Sequence, residues 1–289
     1  MTTVDFRLTE DQRALRKGVR ELLDRRFDRD ALRGAVDAGR LDRALWRELG
    51  AAGFFALRLP ESQGGVGLGL SEAVLVFEEA GRVLLPGPLV ATHLAAGAVP
   101  GAAEGDAVVT EAAEGLVPWL DAADVVLGDV TGAVPMRSVD PLTPLHRVRD
   151  DGRTSDPTAV LLTAAEQVGS AEATTRTAVR HAREREQFGQ AVGGFQAVKH
   201  LCAGMLVRTE LARAAVRAAS VTADPVEIAG AKLLADEAAT GNARDCLQVH
   251  GGMGFTWEAD VHLHLKRAWV RARLRLPAAR AEETVAAAL

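Results

Sequence analysis

The sequence contains no tyrosine, and aromatic residues make up only 4% of its 289 positions. Hydrophobic residues still reach 48%, so the apolar mass consists mainly of alanine, leucine and valine. Alanine and leucine are strong helix formers, whereas sheets favour aromatic and β-branched residues. This composition predicts closely packed helices and little sheet.

Cysteine is also scarce, and Cys202 and Cys246 fit neither a disulfide framework nor a zinc site. We interpret both as reduced, buried, small hydrophobic residues. The net charge of −5 argues against a nucleic-acid partner, which needs a basic surface. No apolar run is long enough to span a membrane, and residues 1–5 lack the features of an export signal. We therefore expect a soluble cytoplasmic protein without a membrane or nucleic-acid partner.

Residues 1–96 are predicted to form an N-terminal helical domain. Thr9 and Gln12 make a capping box, and apolar residues at helical spacing follow it. Residues 41–49 and 73–83 show the same helical pattern. The first third of the chain is therefore expected to be helical.

The remaining chain divides into a short β region and a long helical region. Residues 97–156 are rich in Pro, Gly, Asp and Val, with short apolar runs between turns, which indicates a small β domain. Residues 157–289 return to a helical pattern and are predicted to form a bundle of four long helices. One of these helices should begin at Asp224, because Asp is a good N-cap and Pro225 follows at N1. The expected fold class is mainly α.

The first chemically informative motif runs from Arg185 to His200. It places a permanently charged guanidinium at Arg185 close to the aromatic ring of Phe188. The side-chain amides of Gln187 and Gln196 lie within about three helical turns of it. Such a set suits an anion that carries an aromatic group.

The second motif, residues 248–255, follows the predicted end of a helix. Gln248 precedes the glycines Gly251 and Gly252, and glycine lets a flat ligand approach the bare backbone. Together the two motifs are typical of a site for an extended dinucleotide.

Both motifs resemble those of the acyl-CoA dehydrogenase family. Its members carry an Arg-x-x-Phe-Gly…Phe-Gln-Ala-x-Lys-His run and a Gln-x-His-Gly-Gly-x-Gly-Phe run. The similarity covers nearly the whole chain, in the order helical domain, small β domain and helical bundle. It implies α,β-desaturation of an acyl-CoA, with FAD as cofactor and an electron-transfer protein as acceptor.

The resemblance also implies a cofactor shared between subunits, in which the ADP half of FAD reaches these two motifs. Arg185 would face the pyrophosphate, and Phe188 would pack beside the cofactor. For Arg185 alone, a surface ion pair with Glu184 or Glu186 is the alternative. The expected cofactor contacts are Arg185, Gln187, Phe188, Gln196, Gln248, Gly251 and Gly252.

The catalytic base is harder to place. Desaturation needs a carboxylate for the α-proton, and the family places this Glu at one of two positions. Ungapped alignment puts Arg275 at the commoner position and Ala159 at the other, and neither can serve. Glu166 and Asp156 are the closest carboxylates, each about two helical turns or less away, so a small register shift could bring one into place. Glu166 is the better candidate, although it also suits an ordinary polar position on a bundle helix. No catalytic residue is assigned with certainty.

The β region also departs from the family, whose members hold the flavin ring with a Thr-Glu-Pro-x-x-Gly-Ser-Asp stretch. Only residues 109–115 are similar here, and no Ser-Asp follows them. Some family members that resemble actinobacterial steroid side-chain enzymes are heterotetramers of unequal chains. We therefore expect a subunit that completes the FAD site of a full-length homologue carrying the base. A self-sufficient homodimer or homotetramer using Glu166, and a flavin-free scaffold or acyl-carrier binding protein, remain alternatives.

Two further groups of residues are candidate sites. The arginines Arg267, Arg271 and Arg275 form an i, i+4 stripe that could clamp a CoA phosphate, although such stripes are more often solvated or intersubunit faces. His262 and His264 stand at i and i+2 and so point to different faces of a helix. No metal site is predicted.

Overall fold

The computed structural model describes residues 7–150, 152 and 155–288, so residues 1–6 of the predicted helical domain lie outside it. The helices of the first hundred residues are α1 (Glu10–Arg26), α2 (Arg29–Ala38), α3 (Arg43–Ala51), α4 (Leu70–Arg82) and α5 (Leu89–Ala95). The capping box at the start of α1 is present, with the side chains of Thr9 and Gln12 each accepting a backbone hydrogen bond. The sequence pattern does not predict α2 or α5 as separate helices.

Five short strands follow: β1 (Val109–Glu111), β2 (Leu116–Pro118), β3 (Val125–Leu127), β4 (Val134–Met136) and β5 (Leu145–Arg147). β1 pairs in parallel with β3, and β5 lies between β2 and β4 in an antiparallel sheet. Leu145 of β5 pairs with both Pro118 of β2 and Met136 of β4. The β region is thus two small sheets.

The C-terminal half contains α6 (Pro157–Glu184), a hairpin of β6 (Glu186–Gln187) and β7 (Gln190–Ala191), α7 (Gln196–Thr222), α8 (Pro225–His250), α9 (Val261–Leu274) and α10 (Ala278–Ala286). Asp224 caps α8 as expected, since its carboxylate accepts from the N–H groups of Val226 and Glu227. Asp156 caps α6 in the same way. The short α10 adds to the four predicted long helices.

Helices α4 and α6 pack with their backbones in direct contact. A Cβ atom added at Gly81 would lie 1.9 Å from the carbonyl oxygen of Glu166, and one at Gly169 would lie 1.9 Å from that of Glu78. Two glycines on facing helices therefore allow the close approach. This contact joins the N-terminal helices to the bundle.

A buried cluster of charges joins α1 to α4. Glu79 is fully buried and accepts hydrogen bonds from Arg16, Arg20 and Arg82 at 2.7–2.9 Å. Burial alone raises the pKa of Glu79, but the hydrogen bonds from the three arginines outweigh it and lower the pKa to about 2. Glu79 therefore remains charged inside the protein.

The outer face of α7 carries apolar side chains that the described chain leaves uncovered. More than half of the surface of each is exposed: Leu206, Val207, Leu211 and Val221. Their positions fall within one arc of the helix. An exposed apolar face of this kind marks a site of protein association.

None of the helices described is long and apolar enough to cross a membrane. Cys202 is half-buried, Cys246 is buried, and both are free thiols.

Candidate functional site

The first motif forms an exposed projection at the end of α6. Arg185 ends the helix, with its N–H donating to the carbonyl of His181 at 2.9 Å, and the β6–β7 hairpin follows. Phe188 lies at the tip of the hairpin with a φ of 54°, and 92% of its surface is exposed. A left-handed conformation costs a non-glycine residue about 1–2 kcal/mol, and such strain is concentrated at functional sites.

Phe188 meets a second aromatic ring that the predicted set did not include. Its centroid lies 6.1 Å from that of Phe195, at an interplanar angle of 88°. Gln196 opens α7 directly after Phe195 and lies on the exposed side. The amide of Gln187 donates to the carbonyl of Glu186 at 2.9 Å and so stays within the hairpin. The sequence did carry a signal for Phe195, because the Phe-Gln pair of the family's first motif corresponds to Phe195 and Gln196.

The second motif offers open backbone at the end of α8. Gly251 has a φ of 60°, and Cβ atoms added at Gly251 or Gly252 would meet nothing within 4 Å. Gly254 differs, because an added Cβ would lie 2.9 Å from a carbonyl oxygen of α8. The first two glycines thus leave room for a ligand, and the third allows a tight turn. Gln248 is exposed one turn earlier.

A pair of stacked histidines joins the two motifs. The rings of His181, one turn before Arg185, and His250, just before Gly251, lie 4.0 Å apart and nearly parallel. Burial, together with His250 and Arg185, lowers the pKa of His181, which favours the neutral ring. Sequence patterns gave no signal for this pair, because its members lie on helices far apart in the chain.

Arg185 is free to bind an anion. It makes no ion pair with Glu184, Glu186 or any other residue in the described ranges, so the surface ion pair considered above does not form. A free guanidinium is suited to a pyrophosphate. The neighbouring aromatic rings offer a surface for a flat ring. The residues at this site fit an FAD molecule approaching from outside the chain.

The arginine stripe on α9 lies in the interior, so its interpretation as a solvated face is wrong. Arg267, Arg271 and Arg275 are only 3%, 4% and 7% exposed. Arg267 pairs with Asp140 and donates to the carbonyls of Leu85 and Leu142. The first arginine therefore links α9 to both the β region and the end of α4.

The other two arginines occupy the place where a catalytic carboxylate was sought. Arg275 pairs with Glu111 of β1 at 2.6 Å, and Arg271 pairs with Glu166 at 2.6 Å. Burial lowers the pKa of Arg271 to about 10, so it remains a cation at neutral pH. Glu166 is thus neutralised by a buried guanidinium, and Ala159 is fully buried on α6.

The cleft between α6, α9 and the β region is almost filled. Its remaining volume is about 40 Å³, and its wall includes Trp119, Thr163, Glu166 and the three arginines. A water molecule occupies roughly 30 Å³ in the liquid. The cleft in this conformation has no room for a flavin ring or an acyl thioester.

The two histidines of α9 face different neighbours. His262 stacks on Trp257 with ring centroids 4.9 Å apart, whereas His264 lies 2.8 Å from the hydroxyl of Ser170. Across the described ranges, no group of three or more His, Cys, Asp and Glu side chains is arranged to hold a metal ion.

The described chain is mainly helical, and it presents an exposed arginine, a pair of aromatic rings and open glycine backbone at its surface. The chain belongs to the acyl-CoA dehydrogenase family: the model of the family's N-terminal domain matches residues 9–107, and that of its C-terminal domain matches residues 160–276. The strands β1–β5 lie between these two matches. Family membership supports FAD as the cofactor and an oxidoreductase activity.

Individual relatives are similar over nearly their full lengths. The chain is 37% identical to acyl-CoA dehydrogenase IpdE2 of Mycobacterium tuberculosis H37Rv, across 92% of this chain and 93% of that protein. Among solved structures, a Tcur3481-Tcur3483 steroid ACAD variant has a TM-score of 0.84 at 24% identity, covering 96% of this chain and 97% of the other. The ChsE4-ChsE5 complex from Mycobacterium tuberculosis has a TM-score of 0.81 at 23% identity, covering 98% of both chains. These structures share the fold.

Proposed function

We propose that the chain is one subunit of a two-chain, FAD-dependent acyl-CoA dehydrogenase. It supplies the ADP half of a shared FAD site, and a full-length homologous chain supplies the catalytic base and the flavin-ring site. The observation that carries the proposal is the closed cleft. Arg275 stands at the aligned position of the base and pairs with Glu111, while Arg271 neutralises Glu166.

Within this proposal, the exposed motifs bind and orient the cofactor. Arg185 holds the pyrophosphate, and Phe188, backed by Phe195 and the hairpin residue Gln187, excludes water from one side of the cofactor. The open backbone at Gly251 and Gly252 lets the adenosine end approach closely. Gln196 and Gln248 offer amide donors and acceptors on the exposed side of the same surface.

The reaction needs one proton acceptor and one hydride acceptor. A carboxylate of the homologous chain takes the α-proton of the acyl-CoA, and FAD supplies the acceptor for the β-hydride. The product would be an enoyl-CoA, and an electron-transfer protein would be the final acceptor of the two electrons. This chain's part in the reaction is to bind the cofactor rather than to move the proton.

Two of the solved structures with the same fold support a two-chain arrangement. One is a complex of ChsE4 with ChsE5, and the other carries the paired name Tcur3481-Tcur3483. The exposed face of α7 and the exposed Phe188 also need a covering partner in water.

The test is a visible absorption spectrum. The chain is purified alone and together with a full-length homologue encoded beside it, and each sample is recorded before and after addition of acyl-CoA. We expect a colourless lone chain and a yellow complex that bleaches with substrate. A yellow lone chain that bleaches would instead establish the self-sufficient enzyme. Absence of flavin from both samples would favour the scaffold.

A further inference from the structure

The residues that follow the glycine turn of the second motif are bonded to α2, which lies far away in the sequence. Arg29 of α2 donates from Nε to Asp260 at 2.6 Å and from Nη2 to the carbonyl of Glu258 at 2.8 Å. Arg33, one turn later, pairs with the other oxygen of Asp260 at 2.5 Å. We refer to Arg29, Arg33 and Asp260 as the α2 clamp. It spans more than two hundred residues of sequence.

Trp257 strengthens the same attachment. Its ring stacks on His262, and the ammonium of Lys266 and the guanidinium of Arg33 lie 5.0 and 5.8 Å from its centroid. Cation–π contacts of this kind contribute about 0.5–1 kcal/mol each at exposed sites. Arg33 therefore binds both the carboxylate of Asp260 and the indole of Trp257.

Hydrogen bonds order the segment between the glycines and the clamp. The N–H of Ala259 donates to the carbonyl of Thr256 at 3.2 Å. The backbone N–H and the hydroxyl of Thr256 both bond the carbonyl of Met253, at 3.1 and 2.8 Å. Cβ atoms added at Gly251 and Gly252 would meet nothing within 4 Å, so their outer side is open, while the N–H of Gly251 donates to a carbonyl in the last turn of α8. The position of the open backbone is therefore set by α8 at one end and by the clamp at the other.

We propose that Asp260, held by Arg29 and Arg33, positions the glycine turn at residues 251–254 for the adenosine diphosphate half of FAD. The N-terminal helices would then contribute to cofactor affinity without touching the cofactor. This inference rests on the proposed function. Its physical basis is preorganisation, since a turn that is already ordered loses less conformational freedom when the ligand binds.

The experiment compares two arginines with similar surroundings. Arg29 bonds Asp260 and a backbone carbonyl of another region, and Arg43 bonds Asp124 and the carbonyl of Ala122 in the same manner. Arg29→Gln and Asp260→Asn remove the clamp, whereas Arg43→Gln removes a pair far from the glycine turn. Asp260→Glu retains the charge and serves as the conservative variant.

Two measurements are made on each variant. Hydrogen exchange on the lone chain reports the order of residues 251–260, and titration of the apo complex with FAD gives its dissociation constant. We expect Arg29→Gln and Asp260→Asn to speed exchange in this segment and to weaken FAD binding about tenfold. Asp260→Glu should restore part of the affinity, and Arg43→Gln should change neither quantity.

The outcomes separate the inference from the function on which it rests. Unchanged exchange and unchanged FAD affinity in Asp260→Asn would overturn the positioning role while leaving the shared site intact. Equal losses in Arg29→Gln and Arg43→Gln would show a general effect of stability and would also overturn it. If the wild-type complex bound no FAD, the proposed function would fail, and this inference with it.

Discussion

Phe188 combines an uncommon backbone conformation with an apolar ring almost wholly in water. Neither feature benefits an isolated chain, because the strain lowers stability and the exposed ring gains nothing from packing. Arg185 beside it is a cation without an ionic partner among the described residues. The proposed shared FAD site would account for both residues, since it would cover the ring and neutralise the guanidinium.

The first residue-scale prediction concerns Arg185. Replacing it by Ala should weaken FAD binding by the competent complex about tenfold or more, because one charge-assisted contact to the pyrophosphate is lost. Flavin content after gel filtration measures the effect. Arg183→Ala is the matched control, since Arg183 is also an exposed arginine at the end of α6. Equal flavin content in the two variants would contradict the assignment.

Glu166 provides a second residue-scale prediction. Glu166→Gln leaves the buried Arg271 without its carboxylate, so the free energy of unfolding should fall by about 3 kcal/mol. Urea unfolding of the lone chain measures this change. The turnover of the two-chain complex should remain within about twofold, because the proposed base is on the homologous chain. A loss of about a thousandfold in kcat, with the fold preserved, would make Glu166 the base after all.

At the scale of secondary-structure elements, α4 and α6 meet through glycines rather than through side chains. Each glycine faces a backbone carbonyl of the opposite helix. A steric clash at this contact therefore cannot be relieved by a change of side-chain rotamer. The pair fixes where Glu78 and Glu79 lie and therefore where α1 can bind. The contact between these helices determines how the N-terminal helices dock.

Gly169→Ala should destabilise the chain by about 3 kcal/mol or more, because the new methyl group overlaps the backbone of α4. Gly230→Ala is the control: Gly230 is also within a helix, but an added Cβ meets nothing within 4 Å. That change should raise stability by about 0.5–1 kcal/mol through helix propensity. Thermal unfolding measures the stability of both variants, and equal shifts in Tm would contradict the backbone contact.

The α1–α4 connection should also be sensitive to acid. The folded pKa of Glu79 lies near 2, below its ordinary value of 4.5, so its contribution of about 3 kcal/mol is present above pH 4.5. That contribution is lost progressively as the pH falls towards 2. Glu79→Gln should flatten the fall in unfolding free energy, whereas Glu21→Gln on the exposed side of α1 should not. Parallel pH profiles for the wild type and Glu79→Gln would exclude this role.

At the scale of the whole molecule, the buried arginines of α9 connect separate parts of the chain. Arg267 reaches the loop after β4, Arg271 reaches α6, and Arg275 reaches β1. The β region is therefore held against the bundle by ion pairs that also fill the cleft. A carboxylate placed in this cleft would not by itself restore a substrate site.

Arg275→Glu tests that statement directly. It places a glutamate at the aligned position of the base, next to the existing carboxylate of Glu111. We expect the lone variant to show no dehydrogenation of acyl-CoA and to be less stable, since its new carboxylate would lie next to the half-buried carboxylate of Glu111 and repel it. An artificial electron acceptor assay measures the activity. A lone variant with turnover approaching that of the wild-type complex would show that the cleft can open.

The sequence predicted local features well and long-range ones poorly. The caps at Thr9 and Asp224 depend on residues three positions apart, so their chemistry is visible in the sequence. Burial of the arginine stripe depends on carboxylates more than a hundred residues away, such as Glu166, and a solvated stripe has the same spacing. The α2 clamp and the stacked histidines leave no sequence pattern for the same reason. Domain limits at residues 96 and 156 and the cofactor contacts stay predictions.

The uncovered face of α7 has a consequence for how the protein must be produced. When the proposed partner is scarce, the exposed leucine and valine side chains of α7 will pack against those of other copies of the same chain. Overproduction of this chain alone should therefore yield self-associated material, and balanced synthesis with the homologue should suppress it.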